Sequence, residues 1–553
     1  MAFKAVVGSL VLGGLFSTAN ATCCWSKWGD ASTCGKYPSG GAGGLCNEDF
    51  TTKCSSDGDC KDVPPAPSPS PPKPPSPPGP PSPPSPPSPP SPPTPTPPVP
   101  PHPPAPPAPP LPEKNGMELL GWLENWGQDI KWWDNNLPGN CLMGCFKPLP
   151  FLDQIAPFST VNYGFAFLTK VPDPDQVGCG EDKPAGPCPE WDGENVYLAK
   201  AAMQGSIAVN SDTNVDEVSP SIVSIADVVR MARMHPSGPK RVKITLGGWS
   251  DYARIGSAEN GVKLAKLMAK FVAYTFADGV DIDMEHLTPY SAQDDEFGAL
   301  IAFITQLRQE FAQVTKDWAK TADARRKGLT AQIQKLQPWQ RKNVAAWFNT
   351  MTKHLEEVAK NDPPHLEISW TTRFNAFLPK DNVWNYLMPD SPKPNVTFET
   401  DNEGLKFYPQ VAHLVDTVNI MAYDAGSPAG PLKLNFTTIL HNFAKYGNVT
   451  PSKINMGFEP GEQSGAGVWE GEALDEATAL QIKQKHIGGG VAQWAVNPDP
   501  KQHPKAATLC AAQAKSMNKL LQPVFGFGKV PVYTKCGRDG LWPGAAESEA
   551  IVV

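Results

Sequence analysis

Residues 278–285 read Asp-Gly-Val-Asp-Ile-Asp-Met-Glu, four carboxyl groups within eight positions. Val280, Ile282 and Met284 alternate with Asp281, Asp283 and Glu285. Successive strand residues point to opposite faces, so the pattern predicts a strand with three hydrophobes on one side and three carboxyls on the other. At a rise of ~3.3 Å per residue, carboxyls two apart on one face stand ~6.6 Å from each other, near enough to perturb one another's proton affinity. Such crowding favours one proton donor beside one ionised partner, the division of labour that acid-catalysed bond cleavage needs. Asp278 has the other parity, and a bulge would be required to bring it to the same face. An acidic strand can also serve as a divalent-cation site, since hard cations prefer carboxylate oxygens.

Something must position that strand. Short apolar or β-branched runs occur at 117–122, 161–168, 242–247, 279–285, 366–371, 417–423, 454–458 and 490–494. Stretches of helical periodicity lie between or after them, clearest at 261–277, 297–318 and 506–521. Eight strands alternating with helices over about 400 residues predict an α/β fold, a single (β/α)8 TIM barrel with insertions, spanning 116–525. In such a barrel the side chains that act on a ligand stand where strands end at the C-terminal mouth, and Glu285 closes its strand. Between 288 and 364 basic and acidic residues alternate over helical stretches. That segment is expected to form an enlarged helical excursion shaping one end of a groove.

The rest of the chain bounds its setting. It has 553 residues and a net charge of -8, with no basic stretch interleaved with aromatics, so a nucleic-acid partner has no electrostatic support. Met1-Ala-Phe-Lys4, an apolar run over 5–16 and Ala19-Asn20-Ala21 together read as a secretory signal, 1–21, cleaved after Ala21. No later stretch reaches the ~20 apolar residues of a membrane span, so a secreted, soluble monomer without a membrane partner is expected. The twelve cysteines divide into six before and six after the proline tract, which suits disulfides in an oxidising compartment. The alternative, a metal site, lacks paired Cys-x2-Cys spacing near histidines. Cys510 and Cys536 are expected to pair, being the only cysteines in the last third. Asn395, Asn435 and Asn448 lie in glycosylation sequons.

Residues 22–62 carry the first six cysteines among glycines and aromatics. So short a segment needs crosslinks to hold it together. Trp25, Trp28 and Tyr37 are then left for the surface, where flat rings stack on sugars, and the segment reads as a carbohydrate-binding module. The alternative is that those rings pack against the disulfides. Half of the 64 prolines lie between Pro64 and Pro112, where proline removes amide donors and excludes helix and sheet. This linker, 63–115, is a polyproline II rod, about 150 Å long at ~3.1 Å per residue. It would keep a second domain close to an anchored surface. Its Ser-Pro arrays are also similar to wall-associated extensin-like glycoproteins, which would place the protein at a cell wall. The tail, 526–553, carries no reading.

The octapeptide matches the DxxDxDxE signature of family 18 glycoside hydrolases, and the chain from Gly116 to the low 520s resembles that family, the chitinase family. Val242-Lys-Ile-Thr-Leu-Gly-Gly248 is similar to its SxGG strand, with Thr245 in place of serine keeping a hydroxyl. Asp416-Thr-Val-Asn-Ile-Met-Ala-Tyr-Asp424 is similar to its sixth strand, and Gly489-Gly-Val-Ala-Gln-Trp494 to its eighth. The resemblance implies Glu285 as general acid, with the substrate's own acetamido group as nucleophile. Asp283 would orient that group and stabilise the oxazolinium ion. Asp281 would share a proton or hydrogen bond with Asp283, and Tyr423 would donate to the acetamido oxygen. Asp424, Met421, Trp494, Trp249 and Trp122 would bind the substrate, with Asp278 beside them. Trp126, Trp132, Trp133, Trp370 and Trp469 are further candidates for sugar subsites, against the alternative that tryptophans in barrels pack under helices. No metal and no cofactor enter this scheme, and the expected partner is chitin or a chito-oligosaccharide.

Only about thirty residues separate the seventh strand from the eighth, too few for the α+β insertion that walls the deep-cleft members. An open groove and internal cleavage follow. One alternative is an endo-β-N-acetylglucosaminidase acting on glycoprotein glycans, although Asp424, where those relatives often carry asparagine, leans toward chitin. The other is a chitin-binding lectin of the same family, but such lectins lose the acid that Glu285 supplies here.

Overall fold

The computed structural model describes residues 117–124, 155, 158–170, 189–198, 207–215, 220–235, 238–287, 295–336, 338–379, 402–423, 426–427, 430–431, 434–459 and 472–496. Along the chain these form β1 (Glu118–Glu124), β2 (Thr160–Phe167), β3 (Asn195–Leu198), β4 (Ile207–Asn210), α1 (Pro220–Arg233), β5 (Arg241–Gly247), α2 (Ala258–Thr275) and β6 (Gly279–Asp283). There follow α3 (Glu296–Lys335), α4 (Pro338–Lys360), β7 (Glu367–Arg373), α5 (Glu403–Val411), β8 (Thr417–Met421), the small strands β9 (Gly426–Ser427) and β10 (Gly430–Pro431), α6 (Phe436–Lys445), β11 (Ile454–Phe458), α7 (Glu472–Lys485) and β12 (Gly490–Gln493). The expected disulfides, the module with Trp25, Trp28 and Tyr37, the linker, the tail, Asp424, the helix at 506–521 and Trp126, Trp132, Trp133 and Trp469 lie outside the described residues.

Every expected barrel strand forms. β1, β2, β5, β6, β7, β8, β11 and β12 pair in parallel, and β1 hydrogen-bonds to both β2 and β12, which closes the ring. The chain is a (β/α)8 barrel. Strands β3 and β4 form an antiparallel hairpin that extends the mouth end of β2, an addition not foreseen from sequence.

Alternation along each strand decides what fills the inside and the outside. Val280 and Ile282 are fully buried with Leu264, Met268 and Phe271 of α2 and Leu300, Phe303 and Leu307 of α3 in one continuous core. Each such side chain contributes about 2 kcal/mol by leaving water. Both helices start on side-chain caps: Ser257 Oγ accepts from the Asn260 amide at 3.2 Å and Asp295 Oδ1 from the Gly298 amide at 2.9 Å. The inner face carries polar residues instead. At the floor, Arg241 pairs with Glu118 at 3.0 Å and with Glu367, while Thr160 and Asn455 donate to Glu118 at 2.7 Å each.

The long excursion is present as α3 and α4, but it lies at the other end of the barrel from the one expected. Trp318 meets Phe276 edge-on at 5.0 Å, and Arg325 Nη1 donates to the Tyr274 carbonyl at 2.8 Å. Tyr274 lies in the last turn of α2 and Phe276 caps that helix, just before the floor end of β6, so α3 reaches toward the floor end rather than the groove. Among the described residues no helix is long and apolar enough to cross a membrane.

Candidate active site

Asp281 is the deepest member of the acidic strand and is fully buried. Its carboxyl accepts from Ser369 Oγ at 2.5 Å, Thr371 Oγ1 at 2.9 Å, Asn419 Nδ2 at 3.1 Å, Thr245 Oγ1 at 3.3 Å and Trp122 Nε1 at 3.4 Å. The donors come from β1, β5, β7 and β8, because interior positions of neighbouring strands meet at one level. Burial pushes the carboxyl up from its ordinary value, and the charge of Lys243 with the donors from Ser369, Thr371 and Trp122 pull it back. The expected hydrogen bond to Asp283 is absent, since Asp281 spends both oxygens on those donors.

Asp283 stands one step nearer the mouth, 3% exposed, with Oδ1 buried and unpartnered. Burial holds its carboxyl well above the usual range, and the charges of Glu285, Asp281 and Glu403 add to that while Arg373 opposes it. Asp281 thus acts on Asp283 through charge. Glu285 follows two residues later, its side chain 12% exposed, with Oε2 at 3.6 Å from the Arg373 guanidinium. The backbone beneath them is locked by the Gly247-Gly248 pair. Gly247 adopts φ +107°, and a Cβ there would lie 2.3 Å from the Asp283 carbonyl oxygen, to which the Gly248 amide donates at 2.6 Å.

Around these carboxyls the mouth is aromatic. Trp249 is 42% exposed and holds the Arg373 guanidinium over its ring at 5.0 Å. It is braced by His286, whose Nε2 donates to the Trp249 carbonyl at 2.8 Å and whose ring stacks on Tyr252 at 3.8 Å. Burial brings the His286 imidazole down to about 4, so the ring is neutral in ordinary buffers and its proton sits on Nε2. Trp494 follows β12 and stacks on Phe165 at 5.8 Å. Met421 ends β8 opposite Arg373 and Gly457, and the Tyr423 ring lies beside Gly457. The structure therefore gathers Asp283, Glu285, Tyr423, Trp249, Trp494 and Met421 at strand ends, with Asp281 beneath.

Three expected contacts fall elsewhere. Asp278 precedes β6 at the floor, where it accepts from the Val242 amide at 2.8 Å and pairs with Arg233 at 2.7 Å. No bulge turns it toward the mouth, and its work is to anchor the strand. Trp122 is 1% exposed inside the barrel and serves Asp281 rather than a sugar. Trp370 has outward parity and packs against Phe407 at 4.8 Å and Tyr408 at 5.5 Å. Conversely, sequence reasoning missed Ser369, Thr371, Arg373 and Asn419. The signal was there in Glu367-Ile-Ser-Trp-Thr-Thr-Arg373, where polar side chains recur every second residue. Glu403 was missed as well: buried at the start of α5, it accepts from Thr372 Oγ1 at 2.6 Å. Among the described residues no three His, Cys, Asp or Glu side chains converge as a metal-ion site.

The fold and the site define a (β/α)8 barrel with a graded series of carboxyls at the mouth of one strand. No family model and no curated protein matches the chain. Among solved structures it is similar to a GH18 chitinase from Pseudoalteromonas aurantia, at 16% identity and a TM-score of 0.35, covering 68% of this chain and 94% of that one. It is similar also to a GH18 chitinase from Chromobacterium violaceum, at 12% identity and 0.38, over 71% and 83% of the two chains. A third is a GH18 chitinase from Cycas revoluta in complex with (GlcNAc)3, at 13% and 0.36, over 72% and 99%.

Proposed function

We propose that this protein is a secreted glycoside hydrolase that cleaves β-1,4 bonds between N-acetylglucosamine units of chitin or chito-oligosaccharides, internally and with retention. The observation that supports it best is the gradient along β6, from a carboxyl saturated with donors (Asp281), through a buried one with a free oxygen (Asp283), to one at the mouth (Glu285). Hydrolysis of a glycoside needs a proton on the leaving oxygen and a nucleophile at the anomeric carbon. In this reading Glu285 gives its proton to the leaving oxygen as the glycosidic bond breaks. The acetamido oxygen of the same sugar bonds to the anomeric carbon, forming an oxazolinium ion. Asp283 Oδ1 accepts a hydrogen bond from the acetamido N–H and so aims the attacking oxygen, while Tyr423 donates to that oxygen. Water then attacks the anomeric carbon, Glu285 accepts its proton, and the ring opens to the retained product. Trp494 forms a floor for the sugar and Trp249 a platform beside it. No cofactor is required in this scheme.

The test is hydrolysis of chitohexaose by the mature protein beside Glu285→Gln, with product anomers followed by proton NMR. Shorter β-anomeric oligomers from the wild type, and at least a 10²-fold loss in the variant, are expected from the magnitude of general acid catalysis. Turnover of a high-mannose glycopeptide in place of chitohexaose would move the assignment to glycan cleavage. Binding of chitin without turnover of either substrate would make the protein a lectin.

A further inference from the structure

Barrel interiors are filled mainly by branched apolar side chains, but the layer beneath Asp281 is ionic. The strand register places Lys243, Gly279 and Glu367 in one row across β5, β6 and β7, with Thr245, Asp281 and Ser369 in the row directly above. Gly279 adopts φ +151°, and a Cβ there would lie 2.0 Å from the Glu367 carbonyl oxygen. The bare glycine leaves the row open for Lys243 to reach Glu367 across it. Lys243 Nζ is fully buried and stands 3.7 Å from Glu367 Oε2. Neither atom has a hydrogen-bond partner, nor has either polar atom of Asn162, the register neighbour of Lys243 on β2.

Lys243 is within ion-pair range of Glu367 but too far for a hydrogen bond, and Glu367 already has Arg241 as a closer partner. The Lys243 backbone stands one register row, ~6.6 Å, below Asp281, and its ammonium is buried where water screens it little. The charged groups on the elements around Asp281 are Lys243 and Arg241 of β5, Glu367 and Arg373 of β7, Glu118 and Glu124 of β1, and Asp283 and Glu285 toward the mouth; Lys243 is the foremost influence opposing the effect of burial on Asp281. We propose that Lys243 is a positioning residue whose buried ammonium, acting through Asp281, holds Asp281 as the ionised member of the carboxyl series. This rests on the hydrolase reading, because it assigns Lys243 a part in that reaction.

The acid limb of kcat against pH then reports protonation of Asp281. It is measured on chitohexaose for the wild type, Lys243→Met, Glu367→Gln and the double variant. Losing the cation should move the limb up by about one to two pH units. Losing the anion should move it down, and the double variant should return close to the wild type. A purely structural role would lower stability without shifts of opposite sign. An unmoved limb in Lys243→Met overturns the proposal. Should Lys243→Met fail to fold, the double variant against Glu367→Gln carries the same comparison, and a limb no higher in the double overturns it. Infrared titration of the carboxyl band identified by Asp281→Asn needs no substrate. If the wild type does not turn over chitohexaose, the hydrolase reading fails on its own, and an Asp281 band that titrates alike with and without Lys243 overturns this proposal separately.

Discussion

Glu403→Gln should stabilise the barrel in alkaline buffer and leave it nearly unchanged in acid. Glu403 is 4% exposed, and burial pushes its carboxyl from 4.5 to about 7, with the Thr372 hydroxyl and the charges of Arg373 and Lys406 pulling it back and Glu285 adding slightly to the rise. Because the folded value is the higher one, the folded state holds its proton longer than the unfolded chain does. The stability this confers is complete below about pH 4.5 and is lost as pH rises toward 7. At ~1.4 kcal/mol per unit, the loss amounts to about 3 kcal/mol by pH 8. Glutamine has no charge to desolvate and keeps an oxygen for Thr372, so the variant should escape that loss. The assay is urea unfolding followed by tryptophan fluorescence at pH 5 and pH 8. The two proteins should differ by under about 1 kcal/mol at the lower pH and by about 3 kcal/mol at the higher. Curves that stay parallel across that range would refute the argument, because they would mean that the carboxyl is hydrated or paired rather than kept neutral by burial.

Two further outcomes are expected alongside the Glu285 and Lys243 variants. Trp249→Ala removes an exposed ring that holds the Arg373 guanidinium, and should raise KM for chitohexaose roughly fivefold with kcat changed little, as loss of one stacked ring of about 1 kcal/mol would do; an unchanged KM would remove Trp249 from the proposed substrate platform. Deleting residues 22–112 should lower activity on insoluble chitin several-fold and spare soluble oligomers, as expected if a tethered module acts through local concentration; equal losses on both substrates would make the segment part of the catalytic fold.

The barrel was legible in the sequence because its strands carry the signal on both faces. Val280 and Ile282 point to the helices, and the residues between them point to the axis, so period-2 alternation revealed the strand and its inward carboxyls together. Where a contact depends on a partner distant in the chain, that logic ran out. Trp122 and Trp249 look alike in sequence, yet one is sealed inside the barrel against Asp281 and the other stands 42% exposed at the mouth. Asp278 shares a motif with Glu285 but anchors the opposite end of the strand, because Arg233 and the Val242 amide reach it there.

Sequence alone determined the eight barrel strands and the carboxyl series from Asp281 to Glu285, because periodicity is a local property. Only the tertiary structure decided which donors saturate Asp281, that Arg373 stands at Glu285, and that Lys243 lies one row below the acidic strand. Those pairings join residues 36 to 159 positions apart through the shared register of a closed barrel, and register is settled by the packing of all eight strands together.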